Sequence, residues 1–409
     1  MKKVNRVEQQ IIRKNNPIYD VVDQYCFYSK NVYNQANYII RQEFINNNNK
    51  LSAYDVQKLM QSMDCYKECG SQAAQKTIQL VDKMWKSYFK AIKDWKKNPS
   101  KYLGMPKLPK YLPKDGRQVF MLKNIQCSLN NGQFRIAFKP FGGYTVKTHA
   151  EGKLMQCRFV PKADYYVMEI VYKIEVPETE NIVSERIAAI DLGVDNLMTI
   201  TTNCDVSPII INGKPLKSIN QYYNKKISEM RSALKLRNDS DWSNEMQRFT
   251  TKRNNQVDDY IQKSTKMVVN FCKCNNIDTL VCGYNSGWKQ DTNMGKRVNQ
   301  KFVAIPYLSI VQRLEYKCEN EGIKFIKTNE SYTSGTSFLD GEEPIEKNYN
   351  KDRRIYRGLF QSEKGEYINA DVNGSYQIMK KVFPKAFVNG IEGAGSHPVV
   401  VNIPLPTVK

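Results

Sequence analysis

The sequence predicts a chain of the α/β plus β-barrel class, and three patterns indicate it. Apolar residues at three- and four-residue spacing indicate helices from Tyr19 to about Trp95. Alternating residues from Arg117 to about Val176 indicate antiparallel strands. From Ile187 onward, strands and helices follow one another as in an α/β domain. The 409 residues are enough for two or three domains.

The helical part contains one apolar stripe, which we interpret as the core of a helix bundle. The stripe comprises Ile78, Val81, Met84, Trp85, Tyr88, Phe89 and Ile92. The opposite face is polar and free for phosphates or base edges, with Gln72, Gln75, Lys76, Lys83, Lys86 and Lys90.

A basic, proline-rich stretch separates the helices from the strands. It reads "KDWKKNPSKYLGMPKLPKYLPK", includes Lys107 and Lys110, and predicts an extended connector. The strands after it turn at "NNGQ" and "KADYY", which predicts a small antiparallel barrel or sandwich. Barrels of this kind with basic rims commonly hold nucleic acid, and a purely structural barrel is the alternative.

The remaining chain predicts an RNase H-like α/β domain. A buried strand at Ile187–Ile190 is followed by the hairpin strand "LMTITT" and by helical residues 218–275. The strand "IDTLVC", a helix near Leu308–Glu321 and the strand "IKFIKT" follow. In the strand numbering of an RNase H-like fold, the strand at Ile187–Ile190, "IDTLVC" and "IKFIKT" are the first, fourth and fifth strands, and these three are parallel.

The amino-acid composition limits the classes of partner and of catalytic chemistry to be expected. The chain has 62 Lys and Arg against 41 Asp and Glu, a net charge of +21, which predicts a polyanionic partner. The sequence has no run of about 20 apolar residues and no hydrophobic signal core, so nucleic acid is favoured over a membrane and a cytoplasmic location is expected. Ten scattered cysteines without a CxxC pair predict reduced core thiols. With only His149 and His397, we expect carboxylate and metal chemistry.

Two acidic residues stand out at element ends. Asp191 follows the buried strand, where a lone carboxylate is costly without a metal or another charge; capping the "LGVDN" turn is the alternative. Asp371 precedes an amphipathic helix, where an N-cap role is the alternative. Brought together, the two would repel unless a pair of divalent ions lay between them, and such a pair requires a third oxygen ligand.

The motifs "IDLGVDNLMTI", "LEYKCENEGIKFIKTNESYTS" and "NADVNGSYQI" resemble the split RuvC nuclease of the TnpB family, the insertion-sequence RNA-guided endonucleases related to type V CRISPR effectors. "SQAAQKTIQLVDKMWKSYFK" resembles the family's helical recognition lobe, inserted in its wedge barrel. The resemblance covers residues 10 to 385 and implies Mg²⁺, a guide RNA and target DNA. The implied parts are the first wedge strand (1–18), recognition lobe (19–100), wedge barrel (101–184), RuvC domain (185–330) with a helical insert (215–275), target nucleic-acid-binding insert (331–370), final RuvC helix (371–390) and an extended or disordered tail (391–409).

The sequence departs from the family twice. The insert has no cysteine for the family's zinc ribbon, so no structural zinc is expected, and its predicted packing uses Phe338, Leu339, Ile355, Tyr356, Leu359 and Phe360. The usual glutamate of the fourth strand aligns near Gly283 and is missing. We therefore predict that Glu330, after the neighbouring strand, replaces it, because adjacent strands lie about 4.8 Å apart. Asp195, Glu319 and Glu321 are substitutes; a loop role for Glu330 would leave the nuclease inactive.

The predicted centre is thus Asp191, Glu330 and Asp371, holding two Mg²⁺ ions. A segment after the fourth strand is expected to hold single-stranded DNA through Trp288, Lys289, Lys296, Arg297 and Asn299, although Trp288 could belong to the core. Gln72, Gln75 and Lys76 are predicted to contact a short DNA motif that flanks the target. Lys107 and Lys110 are also predicted to bind nucleic acid. Three hypotheses follow: an RNA-guided DNA endonuclease, an inactive RNA-guided repressor, and a transposase or resolvase. The sequence does not decide between monomer and dimer.

Overall fold

A computed structural model describes residues 1–238, 241–285, 304–356, 358–387 and 398–405. The chain divides into two compact units, of which one is Lys3–Glu175 and the other comprises Met1–Lys2 with Val176–Lys409. Within the described ranges, no helix is long and apolar enough to cross a membrane.

The first unit contains the predicted helices. They are α1 (Tyr19–Asn47), α2 (Ala53–Met60), α3 (Asp64–Cys69) and α4 (Ser71–Lys97). The apolar stripe of α4 is the bundle core, as predicted: Ile78, Val81 and Trp85 are at most 2% exposed. The buried indole of Trp85 donates a hydrogen bond of 2.9 Å to Asn37 of α1, so the one polar atom of this side chain is satisfied.

The connector after α4 lies along α1 without forming a helix or strand between residues 102 and 119. The side-chain amide of Asn34 donates a hydrogen bond of 3.0 Å to the backbone carbonyl of Leu112 and accepts one of 2.9 Å from the backbone amide of the same residue. The hydroxyl of Tyr33 donates 3.0 Å to the carbonyl of Lys110. Because helix side chains hold the backbone of the connector, the side chains of Lys107 and Lys110 stay exposed.

The strands of the first unit form two sheets. One has the order β1-β7-β6-β2 and the other β3-β4-β5. Their bounds are β1 (Lys2–Ile12), β2 (Phe120–Lys123), β3 (Cys127–Asn130), β4 (Gln133–Ile136), β5 (Thr145–Lys147), β6 (Lys153–Pro161) and β7 (Tyr166–Val176). The predicted "NNGQ" hairpin is present, with φ angles of 48° at Asn131 and 70° at Gly132. Both sheets contribute to the core of the helices.

The second unit is built on a six-stranded sheet of order β12-β11-β8-β9-β10-β15. The bounds are β8 (Ile187–Leu192), β9 (Asn196–Thr202), β10 (Ile209–Asn212), β11 (Thr279–Gly283), β12 (Lys324–Thr328) and β15 (Val399–Val401). Strands β8, β11 and β12 are mutually parallel, as predicted, and β9 is antiparallel to β8. Neither β10 nor β15 was predicted; the two pair in parallel.

Helices cover both faces of this sheet. They are α5 (Lys214–Asn238), α6 (Asn244–Cys274), α7 (Tyr307–Asn320) and α8 (Ala370–Val382). Ala188 and Ile190 of β8 pack in the core that α6 and α7 share. The alternate residues Ile187 and Ala189 pack on the other face, against Ile378 of α8. Burial on both faces explains why β8 reads as an uninterrupted apolar run.

The insert before α8 packs through other residues than those predicted. It contains the hairpin β13 (Leu359–Gln361) and β14 (Tyr367–Asn369), with single 3₁₀ turns at Glu346–Asn348 and Lys351–Arg353. Phe360 is buried and Phe338 stacks on Tyr376 of α8 at 4.4 Å, but Leu339, Ile355 and Tyr356 are 37%, 41% and 71% exposed. The prediction was wrong for those three, because α8 and β14 supply the apolar partners instead.

Candidate functional site

Strand register places Asp191 and Glu330 on one face of the sheet. Asp191 has the same parity as Ile187 and Ala189, which face α8. On β11, Cys282 pairs with Ile190, so Gly283 is level with Asp191. Gly283 in turn pairs with Thr328 at the end of β12, and Glu330 follows two residues later with its Oε2 atom beside Gly283.

The carboxylate of Glu330 lies against Gly283. A Cβ atom built on Gly283 would stand 3.2 Å from Oε2 of Glu330 and 2.6 Å from Cδ1 of Ile378. A side chain at position 283 would therefore collide with Ile378 and crowd the carboxylate of Glu330. The carboxylate of Glu330, which follows β12, therefore occupies space that an acidic side chain at position 283 of β11 would need.

Asp371 lies in the first turn of α8 but does not cap the helix. The N-cap is Asn369, whose side chain accepts from the amides of Asp371 and Val372. The carboxylate of Asp371 instead receives two donors, the guanidinium of Arg354 on Oδ1 at 2.9 Å and the amide of Asn196 on Oδ2 at 2.7 Å. The capping alternative for Asp371 is thus excluded.

Gly374, one turn into α8, makes room for Asp191. A Cβ atom at this position would stand 3.0 Å from Oδ2 of Asp191, closer than ordinary van der Waals contact. Ser375 fixes the helix beside it, with hydrogen bonds of 2.9 Å to the carbonyl of Ala189 and to the hydroxyl of Thr201. Helix α8 therefore packs closely over the end of β8.

The three carboxylates interact electrostatically. Burial raises the pKa of Asp191 well above its usual range, and repulsion from Glu330 and Asp371 adds to this. Burial also raises the pKa of Glu330 to about 8, against the attraction of Lys381. Oxygen Oε2 of Glu330 is buried and has no hydrogen-bond partner in the described part of the chain. Asp191 therefore lies near enough to Glu330 and Asp371 for its pKa to respond to both charges.

Carboxylate oxygens are the ligands that Mg²⁺ prefers, and an unpartnered buried one is costly unless a cation reaches it. The carboxylate oxygens of Asp191, Glu330 and Asp371 are therefore of the chemical type that a hard divalent ion prefers. Across the described ranges, however, no group of three or more His, Cys, Asp or Glu side chains is arranged to hold a metal ion. Arg354, the cation next to Asp371, occupies one of its oxygens.

The other predicted acids lie in separate ion pairs. Asp195 pairs with Lys217 at 2.8 Å, Glu319 with Lys2 at 3.3 Å, and Glu321 with Lys273 at 2.7 Å. All ten cysteines are free and seven are buried, in agreement with the expected core thiols.

The predicted nucleic-acid contacts are divided between described and undescribed parts of the chain. On α4, the side chain of Gln75 accepts a hydrogen bond of 3.0 Å from Lys123, and Gln72 and Lys76 are partly exposed. Trp288, Lys289, Lys296, Arg297 and Asn299 all lie outside the described residues.

Sequence reasoning missed Asn196, Arg354 and Gly374. Asn196 and Gly374 lie inside the quoted motifs "GVDN" and "NADVNGSY", which was the available signal. No local pattern distinguishes Arg354 from its neighbour Arg353, because the difference lies in the tertiary contact alone.

Two family models match the chain. Residues 169–289, which include Asp191, match the OrfB_IS605 family, described as a probable transposase. Residues 307–378, which include Glu330, Arg354 and Asp371, match the Cas12f1-like TNB domain. No curated protein matches the chain in sequence.

Solved structures resemble the chain at low identity. A Cas12f1–sgRNA–target DNA complex is 17% identical, covers 92% of this chain and 98% of its own, and has a TM-score of 0.37. A CRISPR-Cas12f ternary complex is 16% identical, with 88% and 80% covered and a TM-score of 0.37. Because these TM-scores lie below 0.5, they support no conclusion about architecture.

Proposed function

Since the chain is a TnpB-like family member, we propose that it is an RNA-guided DNA endonuclease of mobile-element type. It would hydrolyse DNA at a guide-matched site next to a short flanking motif, in the cytoplasm. The observation that carries the proposal is the packing of acids from distant parts of the sequence at one end of the sheet: Oε2 of Glu330 lies beside Gly283, which is level with Asp191, and Asp191 lies against Gly374, three residues after Asp371.

We assign the second unit to an RNase H-like nuclease domain of the RuvC type. Three parallel strands and the antiparallel β9, covered by helices on both faces, support this assignment. The first unit would supply the wedge barrel and the helical recognition lobe, and residues 331–370 the target nucleic-acid-binding insert.

The proposed cofactor is a pair of Mg²⁺ ions held by Asp191, Glu330 and Asp371. When bound, Mg²⁺ supplies Lewis-acid stabilisation of negative charge that develops on phosphate oxygens. The chain's own residues prepare the site. Burial raises the pKa of both Asp191 and Glu330. Asn196 orients Asp371 through its Oδ2 atom.

Guide RNA and target DNA are the proposed partners of the basic surface. The exposed side chains of Lys107 and Lys110 stand on a backbone that α1 holds in place, which suits phosphate contacts at low entropic cost. Gln72, Gln75 and Lys76 on α4 are proposed to contact the flanking motif. Base pairing with the guide would select the sequence.

A nuclease-inactive RNA-guided DNA-binding repressor is the second candidate. The observation that favours it is Gly283, where β11 ends without an acid. The two candidates differ only in the competence of the carboxylate centre, so one experiment separates them.

The test starts from the purified full chain with its copurified RNA. That RNA is sequenced, and a plasmid that carries the matching site is incubated with the complex and Mg²⁺. We expect cleavage, reduced on the order of 10³-fold by Asp191→Asn and retained by the control Asp195→Asn, whose carboxylate pairs with Lys217 instead. Guided binding without cleavage would support the repressor. Absence of bound RNA would contradict both candidates.

A further inference from the structure

The amide of Glu330 is held by a side chain from the neighbouring strand. Strands β11 and β12 stay joined one step past their ladder, where the amide of Tyr284 donates 2.9 Å to the carbonyl of Thr328. In a continued parallel ladder, the amide of Glu330 would be the next donor and the carbonyl of Tyr284 its acceptor. That amide instead donates 3.1 Å to the side-chain oxygen Oδ1 of Asn285. Asn285 therefore replaces a backbone acceptor at the point where the two strands end.

The backbone after Glu330 is held as well. The carbonyl of Glu330 accepts hydrogen bonds from Thr333, at 2.7 Å from the hydroxyl and 3.2 Å from the amide. The next carbonyl, that of Ser331, accepts 2.9 Å from the ammonium group of Lys381 on α8. The loop that carries Glu330 is therefore tied to β11 through Asn285 and to α8 through Lys381.

The carboxylate of Glu330 contrasts with its backbone. Its buried Oε2 atom has no hydrogen-bond partner among the described residues. A buried oxygen without a partner is costly, and a carboxylate with a purely structural role would be expected to accept hydrogen bonds there. The structure thus fixes the main chain of Glu330 and leaves one carboxylate oxygen available to a ligand, as expected for a functional group that is positioned in advance.

We propose that Asn285 is a positioning residue for Glu330. Because the amide that Asn285 holds belongs to the same residue as the carboxylate, this hydrogen bond sets where the carboxylate stands at the end of β11. Strand β11 ends on Gly283 without an acid, and it contributes to the centre through the amide side chain two residues later. The inference rests on the proposed function, in which Glu330 acts in cleavage, and Asn285 itself does not contact the substrate.

The first test is single-turnover cleavage of a guide-matched plasmid by the full chain with its copurified RNA and Mg²⁺. Asn285→Ala removes the acceptor and is expected to lower the rate about 10- to 100-fold, because a displaced catalytic group loses its alignment. In a Glu330→Gln background, the same change should lower the rate by less than about 2-fold, since Asn285 acts through Glu330. A residue that only stabilises the fold would give the same factor in both backgrounds.

The matched control is Asn203→Ala. Asn203 makes the same kind of contact at the other end of β8, where its Oδ1 atom accepts 2.7 Å from the amide of Ile187. This change should alter the cleavage rate by less than about 2-fold, because the contact lies away from Glu330. Equal losses of rate for Asn203→Ala and Asn285→Ala would overturn the proposal.

Hydrogen–deuterium exchange at the amide of Glu330 gives a readout that does not depend on cleavage. Asn285→Ala should speed this exchange about 10-fold, whereas Asn285→Asp, which keeps an oxygen acceptor, should leave it slow. Unchanged exchange in Asn285→Ala, or equal factors in the two Glu330 backgrounds, would overturn this inference alone. No cleavage by the unmodified chain, with the exchange as expected, would contradict the proposed function instead.

Discussion

Gly283 ends β11 without a side chain, and Oε2 of Glu330 lies 3.2 Å from the point where a Cβ atom would stand. We predict that Gly283→Ala lowers the free energy of unfolding by about 1–3 kcal/mol, because the methyl group meets Cδ1 of Ile378 at 2.6 Å. Urea unfolding measures the change.

Ile378→Val provides the control, since valine lacks the colliding Cδ1 methyl. Gly283→Ala should cost less in the Ile378→Val background than in the unmodified chain, as a double-mutant cycle would show. Additive effects of the two changes would contradict the packing described around Gly283.

Single residues were predictable where a pattern on the chain marked them. Glu330 could be proposed because it follows a strand that neighbours the glycine, and the structure gives it a buried carboxylate oxygen there. Its catalytic role stays a prediction. The ion pair of Arg354 and the exposure of Ile355 and Tyr356 could not be predicted, since they depend on how the insert packs on α8.

At the scale of elements, Asp23 of α1 joins the helix to the connector and to β7. It accepts two hydrogen bonds from Arg117, at 2.9 and 2.7 Å, and one from Tyr166. The hydrogen bonds from Arg117 hold the pKa of Asp23 below its ordinary value of 3.8. The carboxylate therefore contributes stability above that value and loses it as the pH falls through the lower folded pKa.

We predict that Asp23→Asn lowers the urea midpoint at pH 7, and that its difference from the unmodified chain shrinks below a pH of about 3.8. The exposed Asp20 on the same helix gives the control Asp20→Asn, for which the midpoint should change little. A difference that grows on acidification would contradict the assigned direction.

Elements with a strong period were predictable, and short ones were not. The position of α4 could be predicted because one face of the helix is buried, which gives an apolar stripe. The position of β8 could be predicted because both faces of the strand are buried, which gives an apolar run. Strands β10 and β15 have four and three residues, too few for a period; β10 pairs with β9 and with β15.

At the scale of the whole molecule, the charge of +21 predicts nucleic-acid binding that weakens steeply with salt. If Lys107 and Lys110 each neutralise a phosphate, the double change to Gln should reduce the slope of log K against log salt by about 1.8 on duplex DNA. Filter binding over a series of KCl concentrations measures the slope.

The matched control removes two lysines that pair with acids, Lys226 with Glu229 and Lys263 with Asp259. Lys226→Gln with Lys263→Gln should leave the slope nearly unchanged. Equal slopes for all three proteins would show that the connector does not contact phosphates.

The central claim is that Glu330 completes the carboxylate centre, and the rate of single-turnover cleavage by Glu330→Gln tests it most directly. With guide RNA bound and Mg²⁺ saturating, the rate should fall on the order of 10³-fold, whereas guided DNA binding and the melting temperature in EDTA should not fall. Cleavage at the rate of the unmodified chain would contradict the account.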